Sequence, residues 1–350
     1  MKRFFAWQPL APASGAAGVR NQFVLKRWAD GSAGIFLLLG GLQALLGLEA
    51  GAFRLLPLLV GLFLFGLPHG AIDHLVALGL AHRTLRIRPF AVVVSLYLVV
   101  VFGVLLLWWV APLWAALGFL VMTIFHWGKA DIAFERLAAS YGAVERNRME
   151  VFVHLTLRGL IPIGIPFLAF PQQATEFINA CIQLFVPGMD ADWLLWRRLV
   201  LGSFLTLFVF DLWTHARKFR NRGAQRLLLE NFVLTGFFCF VSPLVAIGWY
   251  FVGWHGCRHF LRLCCYEPPM NSETDTTFKR MRLRNWQALP FTLVSVVMLL
   301  VLSAVIWDRI DNPYAVAALY LVLISALTLP HLMIVEWMDR REGGPPSFSG

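Results

Sequence analysis

The chain has 350 residues, 59% of them hydrophobic and only 14% charged, with a mean hydropathy of +0.68. Soluble domains carry roughly 25% charged residues, so a water-soluble globular fold is excluded and a polytopic membrane protein is expected. The net charge of +10 is accounted for by arginines facing anionic lipid headgroups and requires no nucleic-acid partner.

Residues 1–32 are basic and rich in Ala, Gly and Pro. They lack the apolar core of a cleavable signal peptide and read as a disordered cytoplasmic tail. Ten apolar stretches follow, at about 33–48, 55–81, 90–110, 113–127, 151–170, 194–213, 227–242, 243–263, 288–307 and 314–337. A helical crossing needs about 20 residues; the first, fourth and seventh stretches are short enough to be re-entrant or strongly tilted. Basic residues alternate from loop to loop. Lys26 and Arg27 precede the first stretch, and the loops 82–89, 128–150, 214–226 and 264–287 and the 338–350 tail are all basic. The intervening loops carry mainly acids such as Glu49, Glu176, Asp190 and Asp311. Basic residues resist translocation, so the expected fold is an all-α, polytopic transmembrane bundle of about ten spans with both termini cytoplasmic.

The five cysteines show no CxxC spacing and suggest neither a disulfide framework nor a zinc site. No fixed-period repeat is present, and GKAD at 128–131 lacks the glycine spacing of a phosphate loop.

The residues that do not belong in an apolar bundle are histidines. Of nine, His69 and His74 fall in the second stretch, within GLPHGAIDH, and His126 ends the fourth. His255 and His259 lie in the eighth and His331 in the tenth. Ionisable groups inside a membrane are costly and are functional candidates by default. His255 and His259 are four apart, which places them on one helix face at a spacing that can grip one ion; His69 and Asp73 have the same spacing. The predicted topology sets His69, His126, His255, His259 and His331 at one depth, between mid-bilayer and the cytoplasmic face. A lone intramembrane histidine ordinarily hydrogen-bonds between helices. Five at one depth point instead to a metal, with Asp73 orienting a ligand through its ring N–H. His82, His154 and His215 sit near helix ends and read as interfacial. An all-imidazole donor set suits iron, copper or zinc and excludes magnesium and calcium. No charged substrate-binding group is evident beyond this cluster, and aromatic residues make up 14% of the chain, so an apolar, lipid-dissolved substrate is expected.

PHGAIDH (68–74), FHWGKAD (125–131), WHGCRH (254–259) and LPHLMIVEW (329–337) resemble the four histidine-bearing motifs of the Brp/Blh family of membrane β-carotene dioxygenases, over nearly the whole chain from about residue 33. The resemblance implies an Fe(2+) enzyme that splits β-carotene with O2 at its central 15,15′ double bond, giving two all-trans retinals. Motif by motif it places the catalytic ligands on His69, His126, His255 and His259, with Asp73, His74 and His331 beside them. Trp127 departs from the family's usual H-F-G while keeping an aromatic. Residues 33–337 are then the catalytic transmembrane domain, in the cytoplasmic (inner) membrane of a bacterium. A substrate tunnel open to lipid is expected along Phe65, Phe125, Trp127, Phe251, Trp254 and Met333, with retinal passed on to a rhodopsin. Rival readings are a non-catalytic carotenoid or retinal carrier, which needs no ligand set, and a haem protein, which does not explain an i, i+4 pair. A membrane di-iron desaturase would require several further HxxxH and HxxHH boxes.

Overall fold

The computed structural model describes residues 16–48, 51–61, 63, 66–81, 86–137, 144–264, 277–309 and 313–341. Its helices in chain order are α1 (Ala16–Leu45), α2 (Leu56–Gly61), α3 (Leu67–Ala71), α4 (Asp73–Leu80), α5 (Ile87–Val110), α6 (Pro112–Leu137) and α7 (Arg148–Ala169). They continue as α8 (Pro171–Gln183), α9 (Leu194–Arg217), α10 (Arg222–Phe240), α11 (Pro243–Tyr250), α12 (Gly256–Cys264), α13 (Thr277–Val305) and α14 (Pro313–Arg341). Among the described residues there is no strand, and each predicted stretch coincides with a helix or a run of helical segments.

Six helices are long and apolar enough to cross a membrane: α5, α6, α7, α9, and the greater part of α13 and α14. The second and eighth stretches are interrupted. The former is divided among α2, α3 and α4, with Pro68 in the first turn of α3, where a missing N–H costs nothing. The latter is α11 and α12 joined by a π turn, Phe251–His255. Such turns are rare and concentrate at functional sites.

Several boundaries differ from expectation. α1 begins at Ala16, inside the segment read as a tail; α6 runs through Asp131 to Leu137; and α13 starts at Thr277, so Lys129 and Arg284 lie on helices rather than in loops. A helix does not stop where the bilayer stops, because its backbone bonds persist while its side chains turn polar. α8 was not anticipated. Its 13 residues are too short to span, and Phe177, Ile178, Cys181 and Ile182 bury one face of it.

Burial separates central from peripheral helices. In the most apolar 18-residue window, 72% of α7 is buried, against 6% of α5 and 11% of α13. The last two present Leu96, Phe102, Leu106, Val297 and Leu300 outward, as a lipid-facing surface requires. α7 packs on α6 and α9. At the α6–α7 contact a Cβ on Gly159 would stand 1.7 Å from Ile124 O, and one on Gly128 2.0 Å from Leu155 O. The two backbones touch there, the close approach that small residues allow in membranes. α1 packs against the π turn: the Ser32 hydroxyl donates to Gly253 O at 2.8 Å, and Phe36 meets Tyr250 and Trp254 edge-on.

Gly128→Ala and Gly159→Ala should therefore each reduce the yield of monodisperse protein in detergent and lower its melting temperature, because backbone cannot yield as a side chain can. Gly118→Ala, where a Cβ meets nothing within 4 Å, should leave the melt unchanged or raise it, Ala being the better helix former by about 1 kcal/mol in water.

Candidate metal centre

Five helical segments bring five histidines together. His69 comes from α3, His126 from α6, His255 from the π turn, His259 from α12 and His331 from α14. All five are buried. The His69 ring centroid lies 6.0 Å from that of His255, 5.2 Å from His259 and 4.9 Å from His331. His126 lies 5.2 Å from His255 and 5.3 Å from His331, while His259 and His331 are 5.2 Å apart. His255 and His259 stack with 12° between their planes and 6.5 Å between centroids, as their four-residue spacing predicts.

The ring nitrogens identify the chemistry. Nδ1 of His126, Nε2 of His255, both nitrogens of His259 and Nε2 of His331 are buried without a hydrogen-bond partner. An unmade buried hydrogen bond costs about 1–3 kcal/mol. Five such atoms within one cluster of imidazoles fit a bound cation by donor type, and a donor set made of neutral imidazoles fits iron, copper or zinc.

Asp73 finds its histidine partner on another helix. The helix is interrupted at Ile72 between α3 and α4, which removes the simple i, i+4 relation with His69. Its carboxylate instead accepts from His331 Nδ1, 2.9 Å from each oxygen. The Tyr97 hydroxyl lies 3.3 Å from Asp73 Oδ2 and 3.1 Å from Leu327 O. His74 is turned from the cluster: its Nδ1 bonds Ala71 O at 3.0 Å, and its ring meets Phe291 at 4.5 Å and Phe90 at 5.8 Å.

A cavity of about 420 Å³ adjoins the cluster, with His69, Asp73, His126, His255 and His331 in its wall. Trp127 and Phe251 also line it. Three other expected tunnel residues lie elsewhere. Phe125 faces outward beside Phe152, Met333 is 58% exposed on α14, and Trp254 is buried with its indole N–H on Asp131. Phe65 falls outside the described residues, as does His82. The remaining wall comes from residues the sequence did not single out, among them Phe90, Val94 and Tyr97 of α5 and Phe291 and Met298 of α13. The hydroxyls of Thr123, Ser295 and Thr328 each donate to a carbonyl of their own helix, so the wall is apolar in effect.

Behind the histidines lies a charge network that sequence reading missed. Asp131 accepts from Arg158 Nε at 2.8 Å, Trp254 Nε1 at 2.9 Å and Arg258 Nη1 at 3.2 Å. Arg158 also reaches Glu230 at 2.8 Å and Asn231 at 2.9 Å, and Arg258 lies 3.6 Å over the Trp254 ring. Arg158 within HLTLRGLIP and Glu230 within LLLENFVL were the available signal, since charges inside apolar spans face the bundle interior. The network continues into His154, Asp211 and His215, whose ligand atoms lie within 4.8 Å of one another. His154 and His215 are therefore buried rather than interfacial, because Glu135 on α6 and Asp211 on α9 supply their partners. This trio is a possible metal site by spacing. Its groups are largely satisfied, however: His154 contacts Asp211 at 2.7 Å and Glu135 at 3.0 Å, and Asn231 donates to Asp211 at 2.8 Å. His215 Nε2 is the one ring nitrogen of the trio without a hydrogen-bond partner, against five at the five-histidine cluster.

Residues 60–339 match the family model described as "Beta-carotene 15,15'-dioxygenase". The chain belongs to this family. It is 34% identical over 303 residues to the probable β-carotene 15,15′-dioxygenase Blh of Halobacterium salinarum, covering 83% of this chain and 86% of the relative. It is 26% identical to the probable β-carotene 15,15′-dioxygenase Brp of the same species, covering 87% of each. With the β-carotene 15,15′-dioxygenase of uncultured marine bacterium 66A03 it shares 22% identity over 79% of this chain and 90% of the relative. No solved structure matches. The family match takes in all five clustered histidines and Asp131, whereas α1, with Ser32 and Phe36, precedes it.

Asp131→Ala should be among the most damaging single changes outside the histidines. It leaves the buried Arg158 and Arg258 with Glu230 as their one shared carboxylate, a loss of up to about 3–5 kcal/mol for a broken buried pair, read as a large drop of the thermal melt in detergent. Glu336→Ala breaks the partly exposed Lys129–Glu336 pair and should cost about 1 kcal/mol or less.

Proposed function

We propose that this chain is an iron-dependent membrane dioxygenase that cleaves β-carotene at its central 15,15′ double bond with O2 to give two all-trans retinals. The observation that carries the reading is a set of bare, buried imidazoles beside an apolar cavity, within a chain whose relatives are named for that reaction. His69, His126, His255 and His259 would hold the iron, with Asp73, His74 and His331 around them. Held there, Fe(2+) supplies the activation of O2 and its addition across the double bond.

The chain's own residues bind, orient and keep water out. Phe90, Val94, Phe291 and Met298 offer dispersion contact to a polyene. No acid or base need be positioned, because both oxygen atoms end in the two aldehydes and no proton is gained or lost overall. A substrate insoluble in water arrives through the bilayer between helices, and α5 and α13, both cavity-lining and largely lipid-facing, are the walls it would pass. Retinal leaves by the same apolar route, with a rhodopsin as a suitable acceptor. Ten crossings, with both termini on the cytoplasmic face of a bacterial inner membrane, fit the alternation of basic loops.

Expression in β-carotene-accumulating bacteria should bleach the cells and yield retinal, and retained colour in cells that contain folded protein would overturn the reading. Protein purified anaerobically should carry about one iron per chain. His69→Ala, His126→Ala, His255→Ala and His259→Ala should each abolish cleavage and lower iron content. Activity that survives complete iron removal would exclude iron as the reactive metal.

Narrowing the cavity should act differently from removing ligands. Val94→Trp and Met298→Trp are expected to slow β-carotene turnover at least ten-fold with iron content unchanged, and to spare a shorter apocarotenal, because these side chains contribute contact surface and no ligand atoms. Equal losses on both substrates would place the polyene elsewhere.

A further inference from the structure

His331 is placed unlike a residue that merely accompanies a metal site. It follows Pro330 in α14, and its ring meets those of His69, His126 and His259 at 4.9, 5.3 and 5.2 Å. Its Nδ1 stands 2.9 Å from both oxygens of Asp73, and Asp73 is in turn held by the Tyr97 hydroxyl. An ionised carboxylate only accepts hydrogen bonds. The imidazole proton is therefore drawn to Nδ1, and the lone pair is left on Nε2. That Nε2 is buried and has no partner. A carboxylate behind one ring nitrogen and a bare lone pair on the other is the arrangement that metal-bound histidines commonly adopt, because the carboxylate fixes tautomer and aim and raises ligand basicity.

A histidine serving only to tie α14 to α4 would need Nδ1 alone. It would gain nothing from burying a second, unbonded nitrogen among four other imidazoles. We infer that His331 is a fifth imidazole ligand of the same centre, with Asp73 and Tyr97 as positioning residues that hold its Nε2 toward the ion. The inference rests on the reading that the cluster binds iron, and it departs from the four-ligand set that the sequence motifs imply. Its consequence concerns coordination: five imidazoles on a six-coordinate ion leave one position for an exogenous molecule, where four leave two.

The test compares metal affinity in full-length protein purified in detergent and stripped by chelation, with Fe(II) and Co(II) titrated against a chromophoric chelator. Wild-type protein should bind about one ion per chain. His331→Ala should weaken binding by 100-fold or more, and Asp73→Asn by about 10–100-fold, the usual range for partners behind a ligand. Tyr97→Phe should have a smaller effect of the same sign. Gly118→Ala on α6, where an added Cβ meets nothing within 4 Å, should have none.

A purely structural role for His331 would also be expected to lower stability, so the deciding measurement is rescue. Millimolar ¹⁵N-imidazole should enter the space vacated in His331→Ala, restore most of the lost affinity and introduce ¹⁵N coupling in the electron paramagnetic resonance of the nitrosyl–iron adduct. Wild-type affinity in His331→Ala, or restored affinity without ¹⁵N coupling, would overturn the fifth ligand. If His255→Ala nevertheless loses iron in that case, the iron reading stands without it. Failure of the wild-type protein to bind either metal would overturn both.

Discussion

A charge inside an apolar bundle must meet its opposite, and much of the structure behind the histidines follows from how Asp131 does so. Arg158 from α7, Arg258 from α12 and Trp254 from the π turn all converge on this one carboxylate. Asp131 and its three donors are all buried, so water cannot readily take over an abandoned partner, and the three donors hold their places. Trp254 and Arg258 form one stripe of their helix, and His255 and His259 form the next. Anchoring the first stripe therefore sets the aim of the second. Glu230, Asn231 and Asp211 extend the same network to α10 and α9, so five helical segments are registered by complementary charge and not by apolar contact alone.

The helices divide their labour accordingly. His126 and His331 sit on the long helices α6 and α14, whereas the two stretches that carry His69, His255 and His259 are irregular. The second stretch is interrupted at Ile72, and the eighth contains a π turn. These irregularities are tolerated because neighbours satisfy the released backbone groups; the Ser32 hydroxyl on Gly253 O is one such case. The long unbroken helices α5 and α13 instead present apolar surface to lipid on one side and Phe90, Val94, Phe291 and Met298 to the cavity on the other. The clustered histidines are buried, and the cavity wall on the side of α5 and α13 is built of apolar side chains.

His126 illustrates how tightly the two parts are joined. It sits two residues before Gly128, where α6 and α7 meet backbone to backbone, and five before Asp131. A shift of α6 that relieved strain at either point would move its bare Nδ1 away from the other imidazoles. The stability of this contact and the geometry of the donor set are thus one constraint, although no residue of α7 belongs to the cluster.

The amino-acid sequence by itself determined that the chain is a helical membrane protein and singled out the histidines that cluster, because both follow from local rules. Apolar runs of spanning length are read residue by residue, and an i, i+4 pair shares a face in any helix, so the stacking of His255 on His259 needed no tertiary information. Only the folded structure decided which partner each group chose. Asp73 bonds His331 on α14 rather than serving His69 four residues away, because the helix is interrupted at Ile72 between them. His154 is buried because Glu135 on α6 and Asp211 on α9 lie opposite it, and its ring in turn packs against that of His215. The cavity wall was hidden for a related reason: α5 and α13 are apolar all round, so no periodicity marks the face that Phe90, Tyr97, Phe291 and Met298 occupy. Trp254, Phe125 and Met333 were equally plausible by composition and point elsewhere. Solvent preference distinguishes inside from outside in water, but between a lipid and an apolar cavity it distinguishes nothing, and there packing alone decides.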